Sequence, residues 1–467
     1  MNATTSTTVT TQVAEVAIVG AGPAGLAAAT RLAQAGITPV VFDLNASPGG
    51  QIYRQVEAPQ AGARITGADY RRGRRLVEAF RQAEIDYRPD SRVWWVQRSD
   101  TGFSLGVLRD GVSRTWQVRY LMLCHGAMER PFPFPGWQLP GVMNAGAAQI
   151  LLKQGGLVPD GPPVLAGSGP LLYLLGWQYL QAGHPPACIL DLTPRRQWWL
   201  PLRHPRRTWH ARGYLAKGLR MMSMLKRAGI AIERDVDALE AVGKTSLEAV
   251  RYRQRGHWRE RPATLLLSHA GIMPETQLTR ALELPHRWNA AQRSFAPLRG
   301  ETLAASDGLW IVGDAAAIGG AANAVREGTL AALALLAARR SHAAEGERES
   351  LRRARARDLQ ARRLLDEMFR PPLDIAALPG ETLICRCENL SRDALERAIV
   401  QGARGPNQLK AFTRCGMGPC QGRQCGVNAS LLLAHCLGRS PDQVGYWQVR
   451  PPLQTITLGE LATPNTT

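Results

Sequence analysis

Short apolar runs, glycine-rich turns and small-residue stretches alternate in the first part of the chain. An apolar run at residues 16–19 is followed by a glycine-rich loop, an alanine-rich stretch and a second apolar run that ends at Asp43. A short apolar run bounded by turn residues indicates a buried strand, and an alanine-rich stretch of sufficient length indicates a helix. The pattern therefore predicts strand, loop, helix and strand, which is the opening unit of a parallel α/β sheet.

The glycine-rich loop has the sequence GAGPAG and runs from Gly20 to Gly25. In such a loop the first glycine allows a tight turn, the second lets a pyrophosphate approach, and the third lets helix and strand pack closely. The helix N-terminus faces the phosphates, and an acid after the second strand can accept hydrogen bonds from a ribose. The predicted nucleotide-binding residues are Gly20, Gly22, Pro23, Ala24, Gly25 and Asp43.

Two further stretches favour FAD over NAD at this fold. The segment DGLWIVGDAAAIGGAANAVREG, from Asp307, places Gly313 and Asp314 directly after an apolar strand and before a small-residue helix. It resembles the second flavin motif of the glutathione-reductase-type flavoproteins, in which the acid binds the ribityl chain. The stretch GGQIYRQ, from Gly49, is similar to another segment of that family. The resemblance implies FAD, and the predicted FAD-binding set also includes Gly50, Gln51, Val93, Gly126, Gly313, Asp314 and Gly320.

The middle of the chain repeats the opening pattern. Residues 162–194 again predict strand, glycine loop, helix and strand, and Gly167, Gly169 and Asp191 are the counterparts of the first site. We therefore predict a second dinucleotide-binding domain that is inserted in the first. Leu172 occupies the third glycine position, where its side chain should crowd a pyrophosphate. The second site is left open between NAD(P), another adenine nucleotide and a structural role.

Five cysteines are grouped near the C-terminus, between Cys385 and Cys425. In a reducing compartment, clustered thiols indicate a metal or redox site rather than disulfides. Structural zinc sites use Cys-x2–4-Cys knuckles, which the Cys-x-Cys pair at residue 385 fits poorly. The spacing is similar to that of the bacterioferritin-associated-ferredoxin type of [2Fe-2S] domain. The predicted ligands are Cys385, Cys387, Cys420 and Cys425, with Cys415 in reserve and zinc as the alternative metal.

The segments around these cysteines predict a compact helical domain. Ser391 is the expected cap of the helix RDALERAIVQGA, in which Leu395 and Ile399 share one face. Cys425 opens a second predicted helix, GVNASLLLAHCLG. Cys436, which lies late in that helix beside three leucines, is predicted to be a core residue.

These motifs define the predicted architecture. The fold class is α/β, with two glutathione-reductase-type dinucleotide-binding domains, one inserted in the other, and a small helical [2Fe-2S] domain. The predicted parts are a disordered tail at 1–12, a discontinuous FAD-binding domain at 13–145 and 285–340, an inserted domain at 146–284, a helical linker at 341–375, the [2Fe-2S] domain at 376–440 and a docking tail at 441–467.

The net charge is +19, and the densest basic stretch is residues 195–227, where arginine and tryptophan are interleaved. Such a stretch can bind phosphates and stack bases, but no nucleic-acid-binding motif accompanies it, so nucleic acid is not an expected partner. No apolar run reaches the length of a membrane span, and the N-terminus lacks the features of a secretory signal. We therefore expect a cytoplasmic protein without integral membrane contact.

The flavin motifs, the inserted fold and the cysteine domain together resemble one family, the large FAD subunit of opine oxidases, D-hydroxyproline dehydrogenases and hydrogen cyanide synthases. The most specific stretches are GAMERPFPFPGWQLPGVMNAGAAQ, from Gly126, and TRCGMGPCQGRQCG, from Thr413. The resemblance implies one subunit of a heteromer, with a second flavoprotein subunit that oxidises an amine or imino acid and a small ferredoxin-like subunit. A chain with both a flavin and a cluster is suited to electron transfer between them.

Two other functions are compatible with the same residues. A free-standing NAD(P)H-dependent flavin reductase would use the second dinucleotide fold and pass electrons to an external carrier, although Leu172 argues against it. A basic zinc-containing binding protein would keep the flavoprotein fold without its chemistry, although both flavin motifs are complete. No acid–base or nucleophilic group for substrate chemistry stands out, so the catalytic residues stay unassigned.

Overall fold

The structure is a computed structural model, which describes residues 11–58, 67–339, 345–372 and 374–462. Most of the predicted N-terminal tail, residues 1–10, lies outside the described residues, as do residue 340 at the end of the predicted FAD-binding domain, residues 341–344 at the start of the predicted linker, residue 373 and the end of the predicted docking tail at 463–467. Within the described residues the chain forms two α/β units and a helical C-terminal region.

The first α/β unit is built on a mixed eight-stranded sheet. Its elements are β1 (Gln12–Val19), α1 (Pro23–Ala33), β2 (Val40–Phe42), α2 (Gly67–Gln82), β3 (Asp86–Arg88), β4 (Arg92–Ser99), β5 (Gly102–Arg109) and β6 (Val112–Leu123), joined later in the chain by β19 (Ala304–Ser306), β20 (Leu309–Ile311) and α8 (Ala321–Ala338). The strand order is β19-β20-β6-β1-β2-β3, and β4 and β5 extend from β6 as antiparallel neighbours. Parallel pairing of β1 with β2 and β6 aligns their carboxyl ends at one edge, where ligands of such sheets bind.

The second α/β unit is inserted between β6 and β19. Strands β7 (Ala127–Glu129) and β16 (Ile272–Pro274) pair with each other and carry the chain into and out of it. The elements are β8 (Val142–Asn144), α3 (Ala145–Gly155), β9 (Val164–Gly167), α4 (Pro170–Gln181), β10 (Cys188–Asp191), α5 (Leu200–Arg203), α6 (Pro205–Arg227), β11 (Ala231–Glu233), β12 (Val236–Val242), β13 (Ala249–Gln254), β14 (His257–Pro262) and β15 (Leu266–His269).

The inserted unit has a parallel five-stranded sheet in the order β11-β10-β9-β15-β8, with β12, β13 and β14 as a separate antiparallel sheet. Strand β8 belongs to the inserted sheet, so the predicted boundary at residue 146 is too late by at least the length of this strand. Its short sequence, VMN, has no distinctive strand signal, and only pairing with β15 assigns it to this sheet.

Three of the remaining elements lie between the inserted unit and β19, and they are α7 (Gln277–Ala281), β17 (His286–Asn289) and β18 (Ser294–Pro297). The helical C-terminal region consists of α9 (Glu345–Met368), β21 (Leu383–Cys385), β22 (Leu390–Ser391), α10 (Arg392–Val400), α11 (Pro406–Thr413), α12 (Gly426–Cys436), α13 (Pro441–Val444) and α14 (Leu458–Ala462). The predicted cap of α10 is confirmed, since Ser391 Oγ accepts a hydrogen bond from the Ala394 N–H. Cys425 is the N-cap of α12, as its sequence predicted, but Cys436 is exposed, so its prediction as a core residue is wrong.

The C-terminal region packs against both α/β units. Trp137 of the inserted unit donates a hydrogen bond from Nε1 to the Leu383 carbonyl at 2.8 Å, and the two regions share one buried apolar core. The C-terminal tail crosses to the first unit, where the Leu453 N–H donates to the Trp94 carbonyl at 2.7 Å. Among the described helices, none is both long and apolar enough to cross a membrane.

Candidate functional site

The first glycine loop lies at the carboxyl end of β1 and leads into α1. A Cβ at Gly25 would stand 1.9 Å from the Gly20 carbonyl oxygen, and Gly20 itself has a φ of +104°. Only glycine allows this close approach of helix and strand. Helix α1 has no side-chain cap at Gly22, so its first N–H groups are available to an anion. Pro23 and Ala24 start the helix, and their backbone lies along this edge.

Asp43 follows β2 and orders the loop beside it. Its carboxylate is 4% exposed, accepts from the Ala21 N–H at 2.5 Å and from the Asn45 N–H at 2.7 Å. Burial raises the pKa of Asp43, although the N–H groups of Asn45 and Ala21 act in the opposite direction. The Asp43 carbonyl also accepts from the Ser91 N–H at 2.8 Å, which places Val93, at the start of β4, near the same edge.

A cleft of about 230 Å³ lies beside Asp43. Its lining residues are Leu44, Asn45, Ala46, Ser47, Gly50, Arg54, Gln55, Asp90 and Gln154. Arg54 donates to Asn45 Oδ1 at 2.8 Å and to Gln51 Oε1 at 3.0 Å, but its buried Nε has no partner among the described residues. The unpartnered Nε and the free amides of α1 are both donors for an anionic ligand. Gly50 packs against Gly22, since a Cβ on Gly50 would stand 2.9 Å from the Gly22 Cα.

Sequence reasoning missed Arg54 and Lys153. Arg54 lies within the GGQIYRQ stretch, so the motif carried a signal for it, whereas Lys153 comes from α3 of the inserted unit. Lys153 is 7% exposed and donates from Nζ to the Gln51 and Ile52 carbonyls at 3.4 and 3.1 Å. Burial lowers the pKa of Lys153 to about 8. A buried ammonium with only two carbonyl acceptors adds a cation behind the Gly49–Gln51 turn.

The second flavin motif meets the first loop at the start of α8. A Cβ on Gly313 would stand 3.0 Å from Ala24 Cβ, which shows how closely the two motifs approach. Asp314 Oδ1 accepts from the Gly319 and Gly320 N–H groups at 2.8 and 3.0 Å, and burial raises the pKa of Asp314. The carboxylate therefore shapes the turn before α8.

Glu327, which sequence reasoning also missed, anchors this motif from inside the protein. The carboxylate is 1% exposed and accepts from the Gly313 N–H at 2.9 Å, from both Nη atoms of Arg299 and from Arg355 Nε at 2.8 Å. Arg299 and Arg355 come from distant parts of the chain, so no local pattern marks this network.

Gly126 lies directly after His125 at the end of β6, where the chain leaves the first unit. The Glu275 N–H donates to the Gly126 carbonyl at 3.3 Å, and the Glu275 carbonyl lies 2.8 Å from His125 Nε2. His125 is packed, with 9% of its side chain exposed, and the neighbouring Cys124 is buried. Six of the predicted residues therefore lie together, and they are Gly20, Gly22, Gly25, Asp43, Gly50 and Gly313. Val93 and Gly126 lie at the margins of this site, and Gln51 is exposed.

The second dinucleotide fold has the predicted loop but uses its acid internally. Asp191 is fully buried, accepts from the Tyr173 hydroxyl at 2.5 Å on Oδ2 and from the Thr193 N–H at 2.9 Å on Oδ1. Burial raises the pKa of Asp191. Leu172 is buried in the core beneath the sheet, and Tyr173 follows it. The acid that would meet a ribose is therefore already hydrogen-bonded by a side chain of α4.

A histidine covers the loop of this second fold. A Cβ on Gly169 would meet the ring of His269, with Nε2 at 3.7 Å, and a Cβ on Gly167 would stand 1.7 Å from the His269 carbonyl oxygen. His269 is 4% exposed, and its Nδ1 lies 2.6 Å from Glu129 Oε1. Gly167, Gly169 and Asp191 thus lie near one another, under side chains that the sequence pattern did not reveal.

The cysteines converge between α11 and α12. The Sγ atoms of Cys385, Cys415 and Cys425 all lie within 4.8 Å of one another, and all three residues are buried. Cys420 hydrogen-bonds to Cys425 and to Cys387, which is exposed. Hydrogen bonds from Cys415 and Cys425 lower the pKa of Cys385 well below the ordinary value of a thiol. The four predicted ligands and the reserve cysteine therefore form one thiol cluster.

Aromatic side chains and glycines shape the loop that carries these thiols. Cβ atoms on Gly416 and Gly422 would stand 2.8 and 2.4 Å from the Trp447 ring, and a Cβ on Gly418 would stand 2.3 Å from Cys387 Cβ. Trp447 is 2% exposed, and its Nε1 has no partner among the described residues. A donor set of several thiols in a loop of close backbone contacts fits a thiolate-bound metal centre.

Two family models match parts of the chain. The NAD(P)-binding Rossmann-like domain matches residues 18–81, which contain the first glycine loop and Asp43. The sarcosine oxidase A3 domain matches residues 380–464, which contain the thiol cluster and the tail.

Full-length similarity extends over almost the whole chain. An opine oxidase subunit of Rhizobium meliloti (strain 1021) is 40% identical over 451 residues, which cover 95% of this chain and 97% of that protein. Hydrogen cyanide synthase subunit HcnB of Pseudomonas aeruginosa is 34% identical over 469 residues, which cover 94% of this chain and 96% of that protein.

Solved structures show the same fold at low sequence identity. L-Proline dehydrogenase from P. horikoshii has a TM-score of 0.74 at 18% identity, over 97% of this chain and 80% of that one. Thioredoxin reductase from T. acidophilum has a TM-score of 0.51 at 16% identity, over 71% of this chain and 100% of that one. The predicted α/β class with dinucleotide-binding folds and a helical C-terminal region is therefore confirmed.

Proposed function

Because the chain belongs to the family of these opine oxidase subunits and of hydrogen cyanide synthase subunit HcnB, we propose that it is the electron-transfer subunit of a heteromeric dehydrogenase. This chain holds FAD and a [2Fe-2S] cluster, and the whole heteromeric enzyme oxidises amines or imino acids of the opine or D-hydroxyproline type. The observation that carries the proposal is the presence in one chain of a flavin-type glycine loop and a buried cluster of thiols.

FAD fits the edge of the first sheet. The free amides of α1 and the unpartnered Nε of Arg54 would bind the pyrophosphate, and Asp43 would orient the ribose. Asp314 and the start of α8 would face the ribityl chain and the flavin. When bound, FAD supplies two-electron redox chemistry that a cluster can accept one electron at a time. The residues of the site bind and orient the cofactor, and Glu327 keeps Gly313 in place.

The cluster fits the thiols between α11 and α12. We propose Cys385, Cys387, Cys420 and Cys425 as ligands, and Cys415 is the alternative to the exposed Cys387, since it lies with the buried trio. Trp447 and the loop glycines would exclude water from a cluster bound by these thiols. Replacing Cys387 and Cys415 separately by serine would identify the fourth ligand, because only loss of a ligand removes the cluster.

We propose that the second dinucleotide fold has a structural role and does not bind a nicotinamide nucleotide. The Asp191 carboxylate is already hydrogen-bonded to Tyr173, and the ring of His269 covers Gly169. These contacts disfavour the alternative of a free-standing NAD(P)H-dependent reductase. The relatives are named as subunits, which supports a multi-subunit enzyme here as well. We propose a second flavoprotein subunit, which oxidises the substrate, and a small ferredoxin-like subunit.

The experiment is an absorption spectrum of the anaerobically purified chain, followed by metal analysis and low-temperature EPR after dithionite reduction. A flavin spectrum with a reduced [2Fe-2S] signal is expected. Cys420→Ser should lose the cluster and keep FAD, whereas Cys436→Ser, a matched change at an exposed cysteine outside the cluster, should keep both. Zinc in place of iron would refute the electron-transfer role of the cysteines, and rapid bleaching of the flavin by NADH would favour the reductase.

A further inference from the structure

The basic stretch of the inserted unit presents large apolar side chains to solvent. Trp199 is 55% exposed, Leu202 74% and Trp209 65%. These three residues, together with Arg203, Arg206 and Arg212 around them, are called the α5–α6 face. No aspartate or glutamate occurs in the sequence from residue 192 to 232. Exposed apolar clusters of this kind mark surfaces that another body covers.

The α5–α6 face is held rigidly by contacts on its inner side. Trp198 packs edge-on against Phe369, with ring centroids 5.8 Å apart, while its neighbour Trp199 points outward. The Thr208 hydroxyl donates to the Pro201 carbonyl at 2.7 Å, which ties the turn carrying Leu202 to the helix turn carrying Trp209. This hydrogen bond therefore holds together the two segments that carry the exposed side chains.

The arginines of the face keep their charge unneutralised. Arg207, on the inner side, pairs with Glu367 at 2.7 Å. Arg203 and Arg206, by contrast, have no acidic partner in the part of the chain that the structure describes. Arg212 lies over the Trp209 ring at 4.3 Å and donates to the Trp209 carbonyl. The face therefore combines free positive charge with projecting apolar groups.

A second arginine–tryptophan cluster on the same unit differs from the α5–α6 face because its arginines have acidic partners. Trp258 of β14 is 40% exposed and has Arg251 over its ring at 4.6 Å. There, however, Arg251 pairs with Glu240 at 3.3 Å and Arg253 pairs with Asp237 at 2.7 Å. Acidic neighbours pair with both of these arginines, so this cluster presents less unpaired positive charge to an anionic surface. Trp258 is therefore a matched control for the α5–α6 face.

We propose that the α5–α6 face docks the protein on an anionic phospholipid surface. Leu202, the most exposed of the three, enters the outer acyl region, and Trp199 and Trp209 occupy the headgroup level, where amphipathic rings are favoured. Arg203 and Arg206 bind lipid phosphates. Charge complementarity and the exposed apolar side chains on two joined segments carry this proposal, which does not depend on either cofactor.

The test is flotation of the purified full-length chain with vesicles of phosphatidylcholine alone and of phosphatidylcholine with phosphatidylglycerol. The wild-type chain should float only with the anionic vesicles. Leu202→Ala combined with Trp209→Ala should weaken binding about tenfold, and Arg203→Ala should weaken it about fivefold. Trp258→Ala should bind like the wild type. Because the replaced side chains are exposed, unchanged thermal melting will show that the variants fold.

Three outcomes would overturn the proposal. Failure of the wild-type chain to float with anionic vesicles would refute it directly. Equal losses for Trp258→Ala and for the Leu202 and Trp209 pair would show that binding reflects only the overall charge of the protein. If a second subunit protects Trp199 and Trp209 from quenching and vesicles do not displace it, the face is a protein interface instead.

Discussion

Replacing Glu327 by glutamine should destabilise the first α/β unit more than any exposed charge change. The carboxylate is 1% exposed and faces the guanidinium groups of Arg299 and Arg355. Burial alone would raise the pKa of Glu327, but these two arginines hold the pKa below its ordinary value of 4.5. A glutamine would leave two arginines beside a neutral amide and would weaken the bond to the Gly313 N–H.

The size of the expected loss of stability follows from the burial of the Glu327 carboxylate. Breaking a buried ion pair by removing one partner costs about 3–5 kcal/mol in free energy of unfolding. For a unit of this size, each kcal/mol lowers the melting temperature by about 2–4 °C, so Glu327→Gln should lower it by about 10 °C. The amount of FAD bound per protein should also decrease, because Gly313 belongs to the flavin motif. The control is Glu349→Gln in α9, where the carboxylate pairs with Arg353 at 2.8 Å in solvent and no measurable change is expected.

The pH dependence of the stability difference tests whether the effect of Glu327→Gln is electrostatic. A depressed pKa in the folded state contributes stability above the ordinary value of 4.5, and this contribution disappears as pH falls through the folded pKa. Glutamine does not titrate. The difference in stability between the wild type and the variant should therefore be largest at neutral pH and become smaller in acid. Differential scanning calorimetry from pH 7 to well below pH 4.5 measures this difference. Equal melting temperatures for Glu327→Gln and Glu349→Gln, or a difference that does not change with pH, would refute this account.

Three other changes test separate parts of the structure. Gly25→Ala puts a Cβ 1.9 Å from the Gly20 carbonyl oxygen, so flavin absorbance per protein should be lost, while Gly346→Ala, which meets no atom within 4 Å, should keep it. Ser391→Ala removes the cap of α10 and should cost about 1 kcal/mol in urea unfolding, with Ser391→Asp restoring the cap. Tyr173→Phe removes the hydroxyl that donates to Asp191 at 2.5 Å and should lower the melting temperature, and NADH titration should show no binding before or after; saturable NADH binding to the wild type would contradict a structural role for this fold.

Motifs confined to short segments were predictable from the sequence. The glycine loop at Gly20–Gly25, the cap at Ser391 and the start of α12 at Cys425 depend on neighbouring residues and on backbone geometry that only a few residue types allow. Family membership was also predicted, and it is confirmed by 40% identity over 95% of the chain. The distribution of burial late in α12 was not predictable in this way, which is why the prediction for Cys436 was wrong.

Local sequence was enough to establish that this chain has two strand–glycine–helix units and one cysteine-rich helical region, because periodicity and turn chemistry are local properties. Which side chains meet across those units depended on the tertiary structure. Pairing with β15 assigned β8 to the inserted sheet, and a hydrogen bond from Tyr173 occupied the Asp191 carboxylate. Packing also brought Arg299 and Arg355 to Glu327 and placed Cys415 beside Cys385 and Cys425. Each of these contacts joins residues that are apart in the chain, and their geometry depends on how whole sheets and helices pack.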